Sequence, residues 1–245
     1  MQKYLLSFLL IVISFSSFAQ QDDGTVYFSE MISLNVVKYK KNINEAYREN
    51  DVERANFLFD SLVKHVLSGT QFDNFKVSTL DAPENKKVYL TRYEKPLFLM
   101  TYATWCEPDE GELPALNELA DQYHDQIDFV ILFWDKRKDV KKVASLYSSN
   151  IKLVYIDETD NNSSHVVNKL KHVFGLPTTI LIDIYGSITD IQREVANHFT
   201  DSYNNSYEMH YNYLSKGISQ LISELDANVP SADSSATDLF GGKIK

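Results

Sequence analysis

Only one cysteine, Cys106, occurs in the 245 residues. That excludes an internal disulfide. It leaves the thiol buried and inert, paired with another molecule, or free and reactive. Positive charge is also scarce: 24 Lys and Arg stand against 34 Asp and Glu, for a formal net charge of −10. Such a chain repels nucleic acid and anionic membrane surface, so neither is an expected partner. The apolar run Leu5 to Phe18 falls short of the ~20 residues that a spanning helix needs. The six histidines, His65, His124, His165, His172, His198 and His210, are dispersed, and none has metal-ligand spacing to Cys106. Neither a metal nor a cofactor is expected. No internal repeat is visible.

What is present is ordinary globular composition, 44% hydrophobic and 24% charged, enough for one core and an added subdomain. Residues 1–20 read MQKYLLSFLLIVISFSSFAQ. Lys3, the apolar run and the small-x-small site Ser17-Phe18-Ala19 make residues 1–19 a signal peptide in this reading. The mature chain is then exported to a periplasmic or other extracytoplasmic space, with no integral membrane segment left. No cysteine follows the run, so lipoprotein anchoring is excluded. Thiols oxidise in such a compartment, which opens an intermolecular disulfide through Cys106.

Residues 20 to about 42 read as extended or irregular. From Asn44 to Leu67 apolar residues recur at three- and four-residue spacing, predicting an amphipathic helix stopped by Gly69. Residues 20–70 are thus read as an N-terminal extension. Strands are expected over Phe72–Leu80, Val88–Leu90, Leu97–Tyr102, Ile127–Trp134, Ile151–Ile156, Thr178–Ile184 and Ser187–Val195. Helices are expected over Pro108–Tyr123, around Val140–Leu146, over Val166–Phe174 and over Glu208–Leu225. Pro114 should kink the first of these. The order predicts an α/β fold over 71–227: a central mixed sheet flanked by helices, with an N-terminal β-hairpin and extra terminal helices. The Ser-, Asp- and Gly-containing tail over 228–245 reads as disordered.

The chemistry concentrates at Thr104-Trp105-Cys106-Glu107-Pro108-Asp109. A cysteine between a buried strand and the first turn of a helix lies over unpaired N–H groups, which favour the nucleophilic thiolate. Asp109 opposes this, because an anion close to Cys106 disfavours the thiolate. Asp135, after the second core strand, is either a site residue or a plain strand-end carboxylate. Tyr203, Tyr207, Tyr211 and Tyr213, with Phe199, crowd the last helix region. They read as packing first and as a partner surface second.

Thr101-Tyr102-Ala103-Thr104-Trp105-Cys106-Glu107-Pro108 resembles the active-site entry of thioredoxin-fold proteins, most closely the exported TlpA/ResA-type thiol-disulfide oxidoreductases. Glu112-Leu113-Pro114 and Phe174-Gly175-Leu176-Pro177-Thr178-Thr179 continue the likeness, which covers residues 72 to 192. The resemblance implies that Cys106 is the attacking sulfur and that Glu112 exchanges protons with it. It also implies that Pro177 is cis and that Leu176, Pro177 and Thr178 bind substrate backbone as an added strand. Trp105, Glu107, Pro108 and Asp109 surround the thiol. In thioredoxin a buried acid lies in the strand before the motif; Met100 stands at that place here. One-cysteine peroxidases keep threonine three residues before their cysteine, where this chain has Ala103.

The departure is Asp109, which stands where the family has its second cysteine. A carboxylate cannot attack a mixed disulfide. Two readings follow. One is monothiol exchange with protein or peptide thiols and disulfides, resolved by an external thiol. The other is a non-catalytic binding module for a peptide or protein partner.

Overall fold

The computed structural model describes residues 24–83, 86–157, 170, 173–193 and 202–228. The signal peptide expected over 1–19, the tail expected to be disordered beyond residue 228, Phe199, and most of the helix expected over Val166–Phe174 lie outside the described residues.

Seven strands form one mixed sheet: β1 (Lys76–Thr79), β2 (Lys87–Tyr89), β3 (Leu97–Tyr102), β4 (Asp128–Phe133), β5 (Ile151–Tyr155), β6 (Thr178–Ile182) and β7 (Ile188–Arg193). Their order across the sheet is β2-β1-β5-β4-β3-β6-β7. The central β3, β4 and β5 are parallel. The hairpins β1–β2 and β6–β7 flank them antiparallel. The helices are α1 (Phe28–Arg48), α2 (Val52–Leu62, ending in a π-helical turn Val63–Leu67), α3 (Glu112–Tyr123), α4 (Arg137–Val143, continued by a 3-10 turn Ala144–Leu146) and α5 (Tyr203–Asn228).

Side chains alternate faces along a strand, and here both faces are buried. Leu97 and Leu99 of β3, Val130 and Leu132 of β4, and Ile180 and Ile182 of β6 enter one core with Phe28, Ile32, Phe59, Leu62 and Leu67 of the N-terminal helices. Phe98, Met100 and Tyr102, with Phe129, Ile131 and Phe133, enter a second core under Leu116 and Leu119 of α3 and Leu214, Ile218 and Leu221 of α5. Burial of each such side chain is worth about 1.5–3 kcal/mol. The near-continuous apolar runs of β3 and β4 follow from this double coverage.

Three expectations change. Residues 28–42, expected to be irregular, are helical and form most of α1. Its buried positions Phe28, Ile32, Tyr39, Ile43 and Ala46 follow a helical stripe thinned by polar neighbours. The helix expected over Asn44–Leu67 is broken at its start. Asn50 adopts φ 57°, a conformation asparagine tolerates, and Asp51 caps α2 by accepting from the Arg54 N–H at 2.9 Å. Finally, α3 starts at Glu112, not Pro108. Pro108 disfavours helical geometry at Glu107. Pro114 then falls in the first turn of α3, where its missing N–H costs no internal bond.

Candidate functional site: the Cys106 loop

Strands β3, β4 and β5 end at one edge of the sheet, and Cys106 lies just past β3. Its N–H donates to the Ala103 carbonyl at 2.9 Å, closing a turn. Because α3 begins later, Cys106 does not sit on the first helical turn, and the expected helix-dipole support is displaced to Glu112. Asp135, just past β4, holds the loop: Oδ2 accepts from the Thr104 N–H at 2.8 Å and Oδ1 from the Thr104 hydroxyl at 2.9 Å. Asp135 therefore positions the loop rather than facing the thiol as a reactant.

The thiol is half-buried against the core under α3 and α5. Trp105 is 73% exposed, neither a core residue nor a packed wall of the site. Glu107 and Pro108 are exposed, and Asp109 is half-buried.

Glu112 is 2% exposed, so its carboxyl group lies inside the protein rather than on the solvated face of α3. Tyr102 donates its hydroxyl to Glu112 Oε2 at 3.3 Å. The Glu112 N–H is bonded to the Asp109 carbonyl at 3.1 Å. Burying a carboxylate is costly unless it is hydrogen-bonded. Glu112, Met100, Pro177 and His210 line a narrow cavity of about 10 Å³, on the order of the space one water needs. Met100 and Glu112 thus share one cavity: the acid comes from the helix instead of the strand. Tyr147, past α4, feels the same site. Its phenol is held well above the ordinary range, first by burial and then by the Glu112 and Cys106 charges.

The Leu176–Pro177 peptide bond is cis. Thr101 pairs with Thr178 in register, which sets Pro177 at the edge where the Cys106 loop begins. Its neighbours face differently. Leu176 packs on the core under α1 and α2. Thr178 is buried, with its hydroxyl on the Gly175 carbonyl at 2.9 Å and its carbonyl accepting from Thr101 at 3.2 Å.

One site residue was passed over in the sequence. His210 of α5 is 3% exposed, and its Nε2 lies 3.3 Å from Asp109 Oδ2. The carboxylate at the second-cysteine position is therefore tied to the C-terminal helix. Gly111 makes this approach possible. A Cβ there would overlap the backbone of Ser206 and Tyr207, and its N–H donates to the Ser206 hydroxyl at 3.1 Å. A signal was present: Ser206, His210, Leu214, Ile218 and Leu221 are all buried at helical spacing. Two polar residues thus continue an apolar stripe. Tyr203, Tyr207 and Tyr211 run along the outer side of α5, ring against ring at 6.2 and 5.8 Å. Tyr207 and Tyr211 reach Glu118 and Gln122 of α3. Among the described residues no group of three or more His, Cys, Asp or Glu could hold a metal ion.

A mixed sheet with a cysteine past its central strand and a cis-proline opening the antiparallel neighbour defines the thioredoxin-like class of thiol proteins. A family model described as AhpC/TSA family matches residues 68–191, and the chain belongs to that family. It is 33% identical over 140 residues to the thiol-disulfide oxidoreductase ResA of Geobacillus thermodenitrificans, covering 56% of this chain and 74% of that protein. It is 26% identical over 129 residues to the thioredoxin-like protein YneN of Bacillus subtilis, covering 51% of this chain and 71% of that one. Among solved structures it is similar to the thioredoxin domain of a thiol-disulfide oxidoreductase from Bacteroides vulgatus, at 18% identity and a TM-score of 0.46, over 62% of this chain and 97% of that one. Helices α1 and α5, and with α5 His210, fall outside the family match.

Proposed function

We propose that the chain is an exported monothiol exchange protein acting on disulfides of proteins or peptides. The Cys106 thiolate attacks one sulfur of a partner disulfide, forming a Cys106 mixed disulfide and releasing the other sulfur as a thiolate. An external thiolate then attacks the partner sulfur of the adduct and returns Cys106 as thiolate. Glu112 takes or returns the Cys106 proton, as the resemblance implies, and shares a cavity with Pro177. Backbone beside Pro177 receives the substrate chain as an added strand. The carrying observation is the half-buried Cys106 in a loop fixed by Asp135 beside a buried carboxylate. Export rests on the N-terminal sequence. None of the described helices is long and apolar enough to cross a membrane.

Incubation of the reduced protein with a peptide disulfide tests this directly. Mass spectrometry should show a Cys106 adduct that added small-molecule thiol removes and that Cys106→Ser abolishes. A native thiol inert to both peptide disulfide and iodoacetamide would reject the reading.

The Asp109–His210 pair favours a second reading, a binding module whose second-cysteine position has become structural. In that case Cys106→Ser retains full partner binding, and Asp109→Cys gains no disulfide reductase activity.

A further inference from the structure

The other cleft at the carboxyl edge of the sheet lies beside β5. It has a volume of about 270 Å³ and an unusual charge for this molecule. Lys76, Lys87, Lys136, Arg137 and Lys138 line it against a single carboxylate, Asp157, in a chain of net charge −10.

The floor follows from the strand register. Ser78 of β1 pairs with Lys87 of β2 and with Tyr155 of β5, so these three side chains share one face. Lys76, two residues from Ser78, shares it as well. Lys76 lies 5.3 Å from the Tyr89 ring centroid. The roof is Lys136, Arg137 and Lys138, which enter α4 after β4.

Two buried polar atoms in this lining have no hydrogen-bond partner among the described residues: the Tyr155 hydroxyl and Arg137 Nε. Tyr155 is 4% exposed. The remaining Arg137 nitrogens clamp the β1–β2 hairpin, donating to the carbonyls of Ala82 at 2.8 Å and Leu80 at 2.6 Å. Buried polar groups are ordinarily partnered, and leaving one unsatisfied costs on the order of 1–3 kcal/mol. Two orphaned donors on residues that line a cationic cleft describe a site short of an acceptor. Ligands of α/β sheets gather outside the carboxyl ends of parallel strands, where this cleft lies.

We propose that this cleft binds a compact polyvalent oxyanion, a ligand carrying phosphate or clustered carboxylate groups. The lysines supply the charge, and Tyr155 and Arg137 Nε supply the two directed hydrogen bonds. Lys136 directly follows Asp135, which fastens the Cys106 loop, so the two sites share one stretch of chain. The proposal does not depend on Cys106 chemistry.

Titration calorimetry on the full chain tests it, with pyrophosphate and citrate as separate probes and sodium chloride at matched ionic strength as control. One-to-one binding of at least one probe is expected, and the tighter arm tells phosphate from carboxylate recognition. Replacing two of the exposed lysines, Lys136→Gln with Lys138→Gln, should weaken binding ~10-fold or more. Tyr155→Phe should weaken it ~10-fold, with an unchanged melting temperature confirming the fold. Cys106→Ser should bind as the parent does. No heat beyond the chloride control, or affinity indifferent to all three substitutions, overturns the proposal.

Discussion

Under α1 and α2 the buried layer of the sheet contains no carboxylate and no imidazole among the described residues, and its contacts are largely aromatic and aliphatic. Phe28 packs on Phe72 and Phe174, and Phe59 meets Phe174 edge-on at 5.7 Å. Under α3 and α5 a layer of equal burial admits Glu112, His210 and part of Cys106. One sheet therefore carries a stabilising face and a chemical face, built from alternate residues of the same strands. On the chemical face Glu112 is held by nearby Tyr102 and His210 meets Asp109 across 101 residues, whereas the other face relies on shape and area.

Substitutions can break or sharpen this contrast. Phe28→Ala should be the largest, losing about 3–5 kcal/mol in urea unfolding while leaving the rate of Cys106 alkylation in the folded protein unchanged. A changed rate would show that the faces are coupled. Gly111→Ala should lose about 1–3 kcal/mol, because a methyl group must push α5 off the loop, and alkylation of Cys106 should quicken as the cover loosens. Glu112→Gln keeps the side-chain volume. It should alter unfolding little and move the alkylation profile to lower pH, since a negative neighbour of the thiolate is removed. A profile identical to the parent's would take Glu112 out of the site.

The smallest effect lies on the stabilising face and only in alkali. Burial pushes the Tyr39 phenol up to about 12 and the Tyr93 phenol likewise to about 12, against an ordinary value of about 10. Both are raised in the folded state. Their contribution is complete below pH about 10 and is lost as pH climbs toward about 12. Tyr39→Phe should reduce the loss over that window, leaving the part due to Tyr93, and change little at neutral pH. Equal alkaline loss in parent and variant would reject the assignment.

The strands, α3 and the Cys106 motif were legible because apolar runs and a specific local motif carry them. Helix α1 was not, since Lys38, Lys40, Lys41 and Asn44 interrupt its stripe and its partners Phe72 and Phe174 are distant in sequence. Residues near Cys106 in the chain, such as Glu112 and Asp109, could be named from the family resemblance. What Asp109 meets could not: His210 comes from an element whose placement depends on Gly111 accepting a helix backbone. Asp135 was visible as a strand-end carboxylate, but its two bonds to Thr104 are a matter of how β3 and β4 lie side by side.

The Asp109–His210 pair spans 101 residues, and a chain is made from its N-terminus. Every strand of the sheet, and the thiol itself, exists before the last helix does. During that interval Asp109 has no His210 to meet, and the core on which Cys106 packs lacks Leu214, Ile218 and Leu221. A nascent or truncated chain ending before Tyr203 leaves that core without its α5 side chains. Adding α5 is thus an act of closing the core, and the order of synthesis sets how long that core waits for it.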